Sequence, residues 1–332
     1  RRWSGRTVLV AAAAAIAIVA VGIVAGITVS HRSTETPTPG APVTNQPKPP
    51  GPLDGTFIAE FGPKMELISG KPYASGATTE PYGGSWSIRS ACPANGCVAT
   101  ATLVSRQNST SSSLVFDDIA GRWTAVTVRT GKCNNADTEV WGAFTLQPRP
   151  DGALSGEYIE TVPSPPCVTE AVPNPSLAAK QSLLLTRTGD VEPNVQVADA
   201  ESQPPPVVSP AQALHGRYHR TMAFSDGSPP LEEDLTLRTD CLRTGERCVT
   251  LAYEPEVGEV MVFADGKWRR FVEGDVSCKA GGTTHIKLTA EYPFPEPRQD
   301  PITLLTGRGT VESNGDCKKV PNFDEKFERT GD

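Results

Sequence analysis

Two long segments of this chain, 54–190 and 214–332, carry one pattern in one order, and that internal repeat limits the fold more than any other feature. Each segment opens on Gly-x-aromatic, at Gly55-Thr56-Phe57 and Gly216-Arg217-Tyr218. Each continues with an apolar residue, an Arg and two further residues before a cysteine: Ile88-Arg89-Ser90-Ala91-Cys92 and Leu237-Arg238-Thr239-Asp240-Cys241. A second cysteine follows a glycine-bearing turn, at Cys97 and Cys248. Val115-Phe116 then leads to Gly121-Arg122-Trp123, as Val262-Phe263 leads to Gly266-Lys267-Trp268. The third cysteine, Cys133 or Cys278, stands ten positions past that Trp in both copies. Leu154-Ser155-Gly156 matches Leu305-Thr306-Gly307, the fourth cysteines are Cys167 and Cys317, and both copies close on Arg-Thr-Gly-Asp, at 187–190 and 329–332. Chance does not supply so many matches in one order, so the fold must be one that serves twice.

Within a copy the local signal is strand. Short runs rich in β-branched and aromatic residues recur, among them Trp86-Ser87-Ile88, 98–104, 123–128, Leu183-Leu184-Leu185 and Val249-Thr250-Leu251. Asp151-Gly152, Asp265-Gly266, Gly281-Gly282 and Asn314-Gly315 punctuate them as turns. The expectation is an all-β chain: two tandem antiparallel meanders of six to eight strands, each closed as a small barrel or a sandwich. The pattern does not choose between those two.

The cysteines number eight, an even count suited to an oxidising compartment. Four residues separate Cys92 from Cys97 and six separate Cys241 from Cys248. Both separations are even, as facing positions across a hairpin require, which fits a cross-strand bridge in each copy. Cys133 would then pair with Cys167 and Cys278 with Cys317, closing longer loops that contribute about 3 to 4 kcal/mol each. Three connectivities per copy stay formally open. Zinc is the competing reading, but the spacing lacks paired Cys-x-x-Cys knuckles, and no metal or cofactor is expected.

Ahead of the repeats, Val8 to Val29 is a stretch of 22 residues without a charge, polar only at Thr28. As a helix it is about 33 Å long, enough for a hydrocarbon core of about 30 Å and too long for the apolar region of a signal peptide. Arg1, Arg2 and Arg6 precede it, so the expected topology is residues 1–7 in the cytoplasm, a single span at 8–29, and the rest outside. Residues 30–53, with seven prolines between Ser33 and Pro52, read as a polyproline-like stalk, and 191–213, with Pro204-Pro205-Pro206 and Pro210, as a second spacer. Gly22 and Gly26 form a Gly-x-x-x-Gly, a spacing that lets two spans pack closely and would serve a homodimer, although small residues are common in membrane helices. The whole chain has 31 basic and 38 acidic residues, and the three basic residues before the span leave the exported part at a net charge of −10. That balance gives no reason to expect a nucleic-acid partner, and it disfavours anionic polymers as ligands. The chain opens on Arg1 and not Met, and reads as the later part of a longer protein.

Catalytic constellations are missing from the sequence. The exported repeats hold three histidines, His215, His219 and His285, all in the second copy, so no histidine-dependent site is shared by the module. They read as surface or edge-strand residues. No Gly-x-Ser-x-Gly, Ser-x-x-Lys or His-Glu-x-x-His occurs. Asp117-Asp118 and Glu232-Glu233 are adjacent acids, which point to opposite faces of a strand and usually mark solvated turns. Trp86, Trp123, Trp141 and Trp268 could stack sugars, but Trp123 and Trp268 recur at matching positions and read as core.

The combination resembles the C-terminal half of mycobacterial receptor-type serine/threonine protein kinases. The residues that carry the resemblance are Ser90-Ala91-Cys92-Pro93-x-x-Gly96-Cys97-Val98-Ala99-Thr100, Gly121-Arg122-Trp123, Pro150-Asp151-Gly152-x-Leu154-Ser155-Gly156-x-Tyr158, the run 214–219, the run 238–245, the run 302–307 and the closing Arg-Thr-Gly-Asp. The resemblance implies an extracytoplasmic sensor region with its anchor, a kinase domain ahead of the span, an unidentified external ligand and dimers that phosphorylate one another. No Gly-rich loop, His-Arg-Asp or Asp-Phe-Gly of a kinase is present, so no catalytic residue of the family can be carried over to this chain. The alternatives are a stand-alone anchored binding or scaffold protein of the envelope and, further off, an exported hydrolase.

Overall fold

An antiparallel meander removes both of its edges when its last strand pairs with its first, and both repeats do this. The computed structural model describes residues 51–332 apart from 68–69, 73–81, 95, 105–112, 134–135, 164–176, 255–256, 279–280 and 317–320. The expected segment 1–7, the span 8–29 with Gly22 and Gly26, and the stalk as far as residue 50 lie outside the described residues. Among the described residues no helix is long and apolar enough to cross a membrane.

The first repeat runs β1 (Gly55–Phe61), β2 (Met65–Glu66), β3 (Gly84–Ala91), β4 (Val98–Val104), β5 (Ser113–Ile119), β6 (Arg122–Cys133), β7 (Ala136–Pro148), β8 (Leu154–Val162) and β9 (Leu177–Gly189). Its sheet is continuous from β1 through β3 to β9, and β9 pairs back onto β1, with the two-residue β2 appended to β9. The second repeat runs β10 (Gly216–Phe224), β11 (Leu231–Cys241), β12 (Cys248–Glu254), β13 (Val257–Ala264), β14 (Lys267–Ser277), β15 (Thr283–Pro293), β16 (Leu304–Gly315) and β17 (Phe323–Gly331), closed in sequence order. Of the two closures left open by the sequence, the barrel is the one realised, with eight strands in each ring.

The repeated sequence signatures are the closing machinery. Arg187 donates from Nε to Asp54 O and from NH2 to Asp190 Oδ1, and Thr56 Oγ1 donates to Asp190 O. Arg329 Nε donates to His215 O and its NH2 pairs with Asp332 in the same way. The terminal Arg-Thr-Gly-Asp therefore clasps the strand that opens its own barrel. Gly216 has φ +102, and a Cβ there would lie 2.5 Å from Gly331 O, which is why a glycine starts β10. The β5–β6 and β13–β14 hairpins both turn through two residues of positive φ, Ala120-Gly121 and Asp265-Gly266, the geometry that matches strand twist.

Alternating side chains fill each ring. Phe57, Trp86, Phe116, Phe144 and Tyr158 pack in the first barrel; Tyr218, Phe263, Trp268, Tyr292 and Phe327 pack in the second. Trp86, Trp123, Trp141 and Trp268 are all buried, so none offers a free face to a sugar. Cys92 is bonded to Cys97, and Cys241 to Cys248, its facing partner across β11 and β12. Cys278 is also bonded, while Cys167, Cys317 and the Cys133 side chain lie outside the described residues.

Residues 49–332 form one compact unit, and the repeats touch. Trp141, Ile159 and Val128, on the outer face of β6–β8, pack against Val249, Leu251 and Val260 on the outer face of β12–β13. Three ion pairs rim this contact: Arg243–Asp117 at 2.9 Å, Arg247–Glu139 at 2.8 Å and Arg238–Glu157 at 3.1 Å. Arg247 also lies over the Trp141 ring. The intervening segment is extended, as its prolines require, but it is not a free spacer. Thr100 Oγ1 donates to Ala198 O at 2.6 Å, Thr102 Oγ1 donates to Gln196 O at 2.9 Å, and Ala200 packs on Ala91 and Val98. Past the prolines, Val207 N donates to Arg243 O on the second barrel.

Candidate functional site

The second barrel keeps charges inside. Arg220 on β10, Arg270 on β14 and Glu325 on β17 each occupy the inward phase of an alternating strand, and each is only 1 to 2% exposed. Glu233 on β11 and Glu259 on β13 complete the group. Arg220 bridges Glu233 and Glu259, the latter at 2.6 Å, and approaches Glu325 at 3.4 Å. Arg270 bridges Glu259 and Glu325, the latter at 3.0 Å. The Tyr292 hydroxyl donates to Glu325. Glu233 and Glu259 retain 17% and 23% side-chain exposure, so the group reaches solvent through those two carboxylates.

Three carboxylates face two guanidiniums in this space, and the imbalance settles on the most enclosed acid. Burial pushes the Glu325 carboxyl above its ordinary range, and the neighbouring charge of Glu259 adds to the effect against the pull of Arg270 and Arg220. Burial acts on Glu259 in the same direction, but Arg270 and Arg220 outweigh it and hold that carboxyl below its ordinary range. Burial also lifts the Tyr292 phenol far up, which keeps it a hydrogen-bond donor. Arg220 Nε, Arg270 Nε and Glu325 Oε1 have no hydrogen-bond partner among the described residues. The group can hold a proton and fix the strands around it, but it sets no nucleophile beside a base.

The strand registers make the comparison with the first barrel direct. The positions equivalent to Arg220, Glu233, Glu259, Arg270 and Glu325 are Ala59, Gly84, Leu114, Ala125 and Leu183. The first barrel instead gathers its inner polar groups around Glu160, which takes Lys64 Nζ at 2.6 Å, Arg129 at 3.0 Å and the Tyr158 hydroxyl at 3.3 Å. Burial raises the Tyr158 phenol, with the Glu160 charge acting in the same direction. The two copies thus share a scaffold and differ in the chemistry they enclose.

The residues singled out from sequence fall elsewhere. His215 is exposed ahead of β10, His219 pairs with Asp234 at 2.8 Å, and His285 pairs with Asp275 at 2.8 Å. Among the described residues no group of three His, Cys, Asp or Glu side chains could hold a metal ion. Asp117 belongs to the rim between barrels, and Asp118 caps the turn at Gly121 N. Reading Glu232-Glu233 as a solvated turn needs correction: both lie in β11, and Glu233 turns inward to Arg220 because strand alternation separates it from exposed Glu232.

Residues 49–202 match the family model described as the PknI serine/threonine-protein kinase sensor domain. That match takes in the whole first repeat and the linker as far as residue 202. PknI of Mycobacterium tuberculosis and of Mycobacterium bovis are each 27% identical to this chain over 223 residues, which is 60% of the chain and 37% of either kinase. The chain thus spans little more than a third of the length of these relatives. Two solved structures of the M. tuberculosis PknI sensor domain, in monomer and dimer form, are each 22% identical; they cover 47% and 41% of this chain, 100% and 92% of their own, at TM-scores of 0.34 and 0.31. The PknI-type match ends within the linker, so the second barrel, with its charged interior, lies beyond it.

Proposed function

We propose that this chain is the membrane anchor and extracytoplasmic sensor region of a transmembrane serine/threonine protein kinase, with a single span at 8–29, its N-terminus in the cytoplasm and its two barrels outside. The observation that carries the reading is the position of the match to the PknI sensor domain, 49–202, separated by nineteen residues from a charge-free stretch flanked on its N-terminal side by three arginines. Catalysis on this reading belongs to a domain ahead of Arg1, and the barrels meet an external ligand. The coding region upstream of Arg1 tests it: an in-frame segment with a Gly-rich loop, His-Arg-Asp and Asp-Phe-Gly is expected. An open reading frame without those motifs would overturn it in favour of a stand-alone envelope binding protein. A homodimer through the span follows from Gly22 and Gly26, where a side chain would hold two helices apart. Replacing both with Ile should weaken association in a membrane dimerisation assay while leaving insertion intact; an unchanged dimer signal removes the glycine seam.

A further inference from the structure

We propose that the Cys92–Cys97 bridge is a thiol-exchange site: a low-molecular-weight thiol attacks Cys92 while both barrels stay folded, and the equivalent bridge of the second barrel is closed to the same reagent.

The two bridges hold one place in the scaffold, where β3 turns into β4 and where β11 turns into β12. Their surroundings differ. Cys241 and Cys248 belong to the apolar core of the second barrel, at 9% and 0% exposure, together with Ala211 and Ala213 of the segment that leads into β10. Ser209 Oγ lies 3.2 Å from Cys248 Sγ, and Val207 closes over the turn at Gly245, where a Cβ would stand 2.8 Å from it. In the first barrel Cys92, Pro93, Ala94 and Gly96 are exposed, and Cys97 rests half-buried against the core. Duplication has thus left one bridge inside and the other at the surface.

A thiolate must reach one sulfur in line with the bond it breaks, so access selects the sulfur that is attacked. That sulfur is Cys92 Sγ. The thiolate forms a new S–S bond with it, the bond to Cys97 breaks, the electron pair leaves on Cys97 Sγ, and Cys97 then takes a proton from water. The incoming thiol is oxidised and Cys97 is reduced, so the step consumes no other reagent. A second thiolate can release Cys92 in the same way, with the small disulfide as product. The fold does not need to open for this. β3 and β4 remain paired in register from Ser85 with Val104 to Ala91 with Val98, and the Cys97 carbonyl keeps the hydrogen bond that Asp118 N donates at 3.0 Å. Reaching Cys248 requires the core itself to part, so exchange there waits for unfolding.

The test treats the full chain in detergent micelles with glutathione, quenches with acid, blocks new thiols with N-ethylmaleimide and maps the unreduced digest by tandem mass spectrometry. Glutathione on Cys92 with maleimide on Cys97 is expected, formed at least about a hundredfold faster than any modification of Cys241 or Cys248. The fast rate should be first order in glutathione, rise about tenfold per pH unit below the pKa of the glutathione thiol, and stay level in urea below the unfolding transition, whereas modification of Cys248 should climb with urea. Glutathione on Cys97, equal rates at the two bridges, or a Cys92–Cys97 bridge that opens only as the protein unfolds would each overturn the proposal. Cys92→Ser/Cys97→Ser should abolish the fast phase of total glutathione uptake with the far-ultraviolet circular dichroism unchanged. Fast uptake undiminished in that variant would assign the exchange to other cysteines and overturn the proposal equally.

Discussion

Removing Arg270 tests the account of the charged barrel interior most directly. Arg270→Met keeps most of the stem's packing and deletes the guanidinium between Glu259 and Glu325. Three carboxylates then share Arg220 alone. Breaking a buried pair from one side costs about 3–5 kcal/mol, because the stranded charge stays out of water. At about 2–4 °C per kcal/mol, the second barrel should lose on the order of 6–20 °C of thermal stability. The companion variant Glu325→Leu installs the residue that the first barrel has there, Leu183. It removes the least satisfied acid but strands the Tyr292 hydroxyl, at about 1–3 kcal/mol. Combining the two should cost less than the sum by about 1–3 kcal/mol, since each relieves the charge the other leaves behind. Urea unfolding of the four proteins, followed by circular dichroism and tryptophan fluorescence, completes the cycle. A loss under about 1 kcal/mol for Arg270→Met, or strict additivity in the double variant, would refute the claim that these groups act as one buried network.

Glu325→Gln should flatten the pH dependence of stability. A carboxyl raised on folding takes up a proton, so its contribution is full below its ordinary value of 4.5 and is lost as pH climbs through the raised folded value; the wild type should fall relative to the Gln variant over that upward window, and parallel stability-pH curves would contradict it. Leu251→Asp charges the contact face and should part the barrels while leaving both rings folded, seen as unchanged far-ultraviolet circular dichroism with a larger radius in small-angle scattering; loss of the β signal would show that the barrels do not stand independently. Gly216→Ala sets a Cβ against the closing strand at positive φ and should cost about 1–3 kcal/mol in denaturant unfolding, whereas a neutral result would take the clasp out of the stability argument.

Much of the fold was legible because the strands alternate plainly and the turns use residues that tolerate positive φ. Tyr218-x-Arg220-x-Met222 and Phe323-x-Glu325-x-Phe327 also announced the charged interior, since a charge at the inward phase between large apolar residues cannot sit in a turn. That signal is quiet: one residue per strand, on strands distant in sequence, becomes a network only when the ring brings them together. The contact between barrels had a signal too. Val260-Met261-Val262-Phe263 is apolar on both phases, as a strand buried on both faces must be. What no pattern in one strand reveals is the partner that covers the outer face, because complementarity between two surfaces belongs to neither sequence segment alone.

The clasp has a mechanical consequence. In the first barrel the chain enters at Asp54 and leaves at Asp190, side by side at one end of antiparallel β1 and β9. A pull between the stalk and the second barrel would therefore load those two strands from the same end. Once the linker strap had been stripped away, the ring would open like a zipper, one rung at a time, and would yield at a far lower force than strands sheared along their length.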